Sequence, residues 1–229
     1  MQLISPQKIF RGNDAWYKSL PQIKKLSKRP LLLGRSEATY NIRQQIYKDL
    51  LEENFEIYIS NLKYDCCYED LERLESIIKT KNCDSIIATG GGKVLDAGKL
   101  LADSLSIPVI TVPLSASTCA GWTALSNIYS INGQFIRDIE LNSCPKILVF
   151  DHDFIKKAPK RTLSSGIADA LAKWYESSLT CSEVEDGLVQ QAIQISRLLR
   201  DQLLIYGESA YKCQTVENLS WCNFVEGCA

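Results

Sequence analysis

Three consecutive glycines, Gly90, Gly91 and Gly92, precede Lys93 in TGGGKVLDAGK. They follow an apolar run, Ser85–Ala88, and open a stretch with helical periodicity. Glycine lacks a Cβ, so three in a row let backbone N–H groups come close to an anion. A helix N-terminus adds unpaired donors and partial positive charge. Together these make a cradle for a diphosphate at the carboxyl end of a strand. The bare alternative is a tight strand–helix turn with no ligand. The spacing is neither G-x-G-x-x-G nor a P-loop. Asp96 lies one turn further on, and as a bare observation it reads as a solvated first-turn acid favoured by the helix dipole.

A second segment, VPLSASTCAGWTALSNIYS at 112–130, follows another apolar run. Its small hydroxyl side chains suit phosphate or ribose oxygens, and its alternative is a surface loop. Two such segments at neighbouring strand ends favour a shared nucleotide site.

Other chemistry is restricted. There is one histidine, His152, so a metal site with several histidines cannot be built from these residues. Nine cysteines are present without a Cys-x-x-Cys pair. Free thiols are the expectation, and with them a cytoplasmic location. A formal net charge of −1 gives no field for nucleic acid. No apolar run approaches the roughly 20 residues that span a bilayer. The N-terminus is too polar for a secretory signal.

The elements that must hold these segments alternate. PLLLG (30–34), FEIYI (55–59), SIIA (85–88), IPVITV (107–112) and KILVF (146–150) read as strands. Helical patterns fall at 36–53, at Tyr68–Lys79 and after the glycines. Short apolar strands alternating with helices predict an α/β fold, a parallel sheet covered on both faces. After Pro159 no convincing strand remains. Residues 164–179, 187–207 and 215–227 read as helices. The expected division is therefore a dinucleotide-binding domain over 1–157 and the start of an all-α domain over 158–229. The second is expected to be incomplete, as in the N-terminal portion of a longer chain.

With GGGKVLDAGK at 90–99, VPLSASTCAGWTALSNIYS at 112–130 and APKRTLSSGIADALAKWYE at 158–176 in this order, the sequence resembles the iron-containing alcohol dehydrogenase superfamily, closest to its glycerol dehydrogenase branch. Dehydroquinate synthase and glycerol-1-phosphate dehydrogenase are weaker matches. The resemblance implies an NAD- or NADP-dependent oxidoreductase acting on a small alcohol or aldehyde held at zinc or iron. It places Gly90, Gly91, Gly92, Lys93 and Asp96 along the cofactor. It places Ser117, Thr123, Leu125 and Tyr129 around the nicotinamide and ribose. It makes Asp169 a metal ligand; by spacing alone, Asp169 and Lys173 would form a surface pair. Such folds often form homo-oligomers.

Three departures stand out. The two histidines that complete the family's metal site have no counterpart after Asp169, and His152 matches no ligand position. The chain alone is therefore expected to be inactive, and a non-catalytic nucleotide-binding remnant is the alternative, with a dehydroquinate-synthase-like relative behind it. Arg35 stands where NAD-using relatives tend to carry an acid, which suits the 2′-phosphate of NADP; a solvated arginine is its plain alternative. Cys119 replaces an aspartate that contacts the polyol, and Leu114 a hydroxyl residue, so a less polar substrate than glycerol is expected.

Overall fold

In a computed structural model, described for residues 5–181 and 184–213, the apolar runs become strands buried on both faces. The chain orders β1 (Lys8–Gly12), α1 (Ala15–Leu26), β2 (Pro30–Gly34), α2 (Tyr40–Glu52), β3 (Tyr58–Asn61), α3 (Tyr68–Lys81), β4 (Ser85–Gly90) and α4 (Gly92–Leu105). There follow β5 (Val109–Pro113), β6 (Leu125–Tyr129), β7 (Phe135–Glu140), β8 (Ile147–Asp151), α5 (His152–Lys156), α6 (Lys160–Thr180) and α7 (Gly187–Cys213). Six strands form one parallel sheet in the order β1-β8-β5-β4-β2-β3.

The side-chain period of two explains why the central strands are apolar throughout. On β4, Ile86 and Ala88 pack with Leu74 and Ile78 of α3 and with Leu95 and Leu101 of α4. Ile87, between them, points the other way and packs with Trp16 and Ile23 of α1 and Ile42 and Ile46 of α2. So α2, which leaves β2, and α4, which leaves β4, cover opposite faces. β2 and β4 are neighbours, paired through Leu33 and Ala88. A crevice therefore opens between their carboxyl ends, the place where open α/β sheets bind ligands.

The chain forms two compact units. The first holds Met1–Leu114 and Cys119–Ile155; the second holds Ser115–Thr118 and Lys156–Ala229. In the second, α6 and α7 pack together, with the Arg200 guanidinium 4.0 Å from the Trp174 ring centroid, and Leu163, Ala170, Leu203 and Ala210 are buried.

Several expectations are corrected. The third strand begins at Tyr58 rather than Phe55, because Phe55 fills the core beside α2 instead of entering the ladder. The segment 112–130 is not one loop: Leu125–Tyr129 forms β6, paired antiparallel with β7. β1 and α1 have no counterpart in the sequence reading. The helix expected over 215–227 lies outside the described residues.

Candidate functional site

α4 begins at the end of β4 with Gly91 as N-cap, and no side chain caps it. Its first turn carries no acid. The Val94 N–H turns back to the Gly91 carbonyl at 3.0 Å, which leaves the Gly92 and Lys93 N–H groups to face an external acceptor. A Cβ on Gly90 would lie 3.0 Å from Val94 Cγ2, so the turn is tight against its own helix. Close packing also fixes where α4 starts. A Cβ on Gly98 would lie 2.5 Å from the Ala88 Cβ, which brings the helix unusually near β4. This cradle fits a dinucleotide diphosphate.

Lys93 extends from this turn to Asp65, and its ammonium sits 4.9 Å from the centre of the Tyr129 ring. Tyr129 in turn donates its N–H to the Cys66 carbonyl at 2.9 Å. Gly90, Gly91, Gly92, Lys93 and Tyr129 thus gather at the α4 N-terminus. Asp65 is part of this cluster, and nothing in its local sequence marks it.

Asp96 is not a solvated first-turn acid. It is buried and pairs with Lys99, Nζ to Oδ1 3.2 Å. It also accepts the Asn127 N–H. Lys99 donates to the Thr123 carbonyl at 3.2 Å, to Thr123 Oγ1 at 3.3 Å and to the Leu125 carbonyl. Both charges are buried, and their partners include each other, Thr123 and the backbone of Leu125 and Asn127. Burial raises the Asp96 carboxyl and lowers the Lys99 amine, against their mutual attraction. The pair stitches Thr123 and Leu125 to the helix that begins at the glycines.

Across the crevice, Gly34 ends β2, and Arg35 is exposed in the turn after it. Thr89 Oγ1 donates to the Leu33 carbonyl at 2.8 Å and locks the two strand ends together. Cys119 is an exposed free thiol whose carbonyl accepts the Trp122 N–H at 3.0 Å.

The second unit carries Ser117 and Asp169. Ser117 Oγ lies 2.8 Å from Ser115 Oγ. Asp169, on α6, is exposed and lies 3.7 Å from Lys173 Nζ, the pair that their spacing anticipates. Among the described residues no three His, Cys, Asp or Glu side chains are grouped to hold a metal ion. The described donor set does not fit zinc or iron. His152 is buried at the β8–α5 junction, edge-on to Phe150 at 6.0 Å between centroids.

The sequence profile of the iron-containing alcohol dehydrogenases matches residues 6–152, well over half of the chain. The chain belongs to this family. An uncharacterized oxidoreductase of Synechocystis sp. is 35% identical over 225 residues, covering 97% of this chain and 57% of that protein. Glycerol dehydrogenase of Escherichia coli is 32% identical over 212 residues, covering 90% of this chain and 58% of that enzyme. The solved glycerol dehydrogenase of Schizosaccharomyces pombe superposes with a TM-score of 0.80 at 28% identity, covering 99% of this chain and 59% of that one. The chain thus spans less than two thirds of the length of these relatives. No helix among its described residues is long and apolar enough to cross a membrane.

Proposed function

We propose that this chain carries the cofactor-binding part of an NAD(P)-dependent alcohol or polyol dehydrogenase. The observation that carries this reading is the crevice between β2 and β4. One wall is the Gly34–Arg35 turn and the other is the uncapped N-terminus of α4. A nicotinamide dinucleotide, when bound, would supply or accept the hydride.

The chain's own residues have separable tasks. Gly90, Gly91 and Gly92 admit the diphosphate to the first-turn N–H groups. Lys93 adds a cation, restrained by Asp65. Asp96 and Lys99 act from beneath, fixing Thr123 and Leu125 for the ribose and nicotinamide. Tyr129 shields the diphosphate end through its contact with Lys93. Ser117 is assigned to the nicotinamide and Cys119 to an alcohol or aldehyde less polar than glycerol. Arg35, positive where a ribose diol needs an acceptor, favours NADP. Asp169 is assigned as one ligand of a divalent ion, zinc or iron. Since the described residues supply no further ligand set, no step is assigned through the metal.

A fluorescence titration tests the reading. The chain has four tryptophans, whose emission transfers to a bound reduced nicotinamide. Saturable quenching by NADPH, with weaker quenching by NADH, is expected. Binding of neither cofactor by folded protein overturns the proposal.

A further inference from the structure

Arg43 is a buried guanidinium in the first turn of α2, only 7% exposed. It does not join the apolar core that the rest of that helix faces. Instead it lies over the backbone of Gly34 at the end of β2. A Cβ on Gly34 would fall 2.5 Å from Arg43 Cδ and 2.8 Å from Arg43 Cζ. Arg43 Nη2 donates to the Ser36 carbonyl at 2.9 Å. Nη1 donates to Oδ1 of Asn61, the last residue of β3 and the register partner of Gly34. Nε is buried without an acceptor, and Glu37 lends only a through-space attraction.

This arrangement is costly, since a buried cation without a paired carboxylate loses hydration and gains little Coulomb energy. A lysine would not reproduce it. Only a planar fork reaches two acceptors on separate strand ends at once. What the fork fixes is the main chain from Gly34 to Ser36, the short turn after β2 that carries the exposed Arg35. Ser36 Oγ then accepts the Ala38 N–H at 3.2 Å, which closes the turn into the following helical segment.

We propose that Arg43 is the positioning residue that sets cofactor selectivity. Seated on Gly34 and bridging Ser36 to Asn61, it holds the turn so that Arg35 faces a ribose 2′-phosphate rather than a ribose diol. The inference rests on the dinucleotide reading above. It adds that selectivity needs two arginines, one to meet the phosphate and one to aim the first. Gly34 is required because any side chain there displaces the guanidinium.

The experiment is a pair of energy-transfer titrations, NADPH and NADH, on the parent chain and on Arg43→Lys, Gly34→Ala and Asn61→Ala, with a thermal melt for each. Arg43→Lys keeps the charge and loses the fork. Asn61→Ala keeps the arginine and removes one anchor, so it serves if the other two fail to fold. The expected result is an NADPH preference in the parent that falls roughly tenfold in Arg43→Lys and Gly34→Ala, and several-fold in Asn61→Ala, as one charge-assisted contact is misplaced. NADH affinity should stay within about twofold, since the diphosphate cradle lies on the other wall. A structural role alone would weaken both cofactors together and leave their ratio fixed. An unchanged ratio in the folded variants overturns the proposal, as does a parent that prefers NADH. A parent that binds neither cofactor overturns the dinucleotide reading and this inference with it.

Discussion

Asp96 and Lys99 form an ion pair inside α4, Nζ to Oδ1 3.2 Å, with side chains 7% and 1% exposed. Burial opposes both charges. The carboxyl is raised, so its contribution is fullest below the unfolded value of about 3.9 and is lost as pH rises through the folded one. The amine is lowered, so its contribution is present above about 10.4 and is lost as pH falls through the folded value. At neutral pH each ionisation by itself opposes folding, and the pair survives on mutual attraction and its contacts to β6. Lys99→Met should therefore cost about 3–5 kcal/mol at pH 7, because it strands a buried carboxylate. Asp96→Asn added to it should recover part of that loss. Lowering the pH should also narrow the gap between Lys99→Met and the parent, as Asp96 protonates. Urea unfolding at several pH values reads all three effects; a neutral-pH loss under about 1 kcal/mol would show the pair to be a solvated one.

Gly98 sits where α4 crosses β4, and a Cβ there would come within 2.5 Å of the Ala88 Cβ. Helix propensity alone makes Gly98→Ala stabilising by about 1 kcal/mol. Overpacking costs about 1–3 kcal/mol, and we expect it to win. Gly98→Ala should melt at lower temperature than the parent. Combined with Ala88→Gly, it should be less damaging than the sum of the two single changes. A higher melting temperature for Gly98→Ala would mean that helix and strand are further apart.

How much was legible in the sequence depends on burial symmetry. β2, β4, β5 and β8 lie inside the sheet with both faces covered, so they read as unbroken apolar runs. β1 is an edge strand of mixed exposure, KIFRG, and Pro21 interrupts the pattern of α1. β7 is almost wholly exposed, so FIRDIE shows no period to read, and its partner β6 was hidden in a segment rich in Ser and Thr. The glycine loop was legible because its residues are contiguous. Asp65 was not, because it lies 28 residues before Lys93 and only α3 and β4 bring the two together. Arg43 was not, since nothing in NIRQQI distinguishes an arginine turned toward a strand end from a solvated one.

Within the second unit, Gly166 of α6 lies against the segment Ser115–Thr118. A Cβ there would overlap the Ala116 carbonyl, 2.8 Å from its carbon, and would sit 3.1 Å from Ser117 Cα. The glycine of SSGIADALAKWYE thus has a packing reason. Backbone cannot step aside as a flexible side chain does, so Gly166→Ala should cost about 1–3 kcal/mol and loosen the segment bearing Ser117. Amide exchange at 115–118 should accelerate. Gly187→Ala is the control: nothing lies within 4 Å of its Cβ position, so it should be near neutral. Unchanged exchange at 115–118 in Gly166→Ala would show that α6 does not restrain this segment.

At the opposite end of the sheet, Asp84 ties β2 to β4. Ser27 Oγ donates to its Oδ1 at 2.6 Å, the Lys28 N–H to Oδ2 at 2.8 Å, and the Arg29 N–H to both oxygens at 3.1 Å. Partial burial tends to raise this carboxyl, but these donors, which favour the charged form, outweigh it and leave it lowered. A lowered folded value means that the stabilisation is present above the unfolded value of about 3.9 and is lost as pH falls through the folded one. Asp84→Asn keeps the shape but offers one acceptor oxygen in place of two. It should cost roughly 1.5–3 kcal/mol at pH 7, the usual range for hydrogen bonds to a charged group. The difference from the parent should begin to shrink below about pH 4, where the unfolded carboxyl protonates, and should vanish as the pH falls through the lowered folded value, where the parent's carboxylate also becomes neutral. Denaturant midpoints for both proteins between neutral and acid pH measure this directly. A deficit that stays constant down to the acid end would place the effect of Asp84 in packing rather than in its charge.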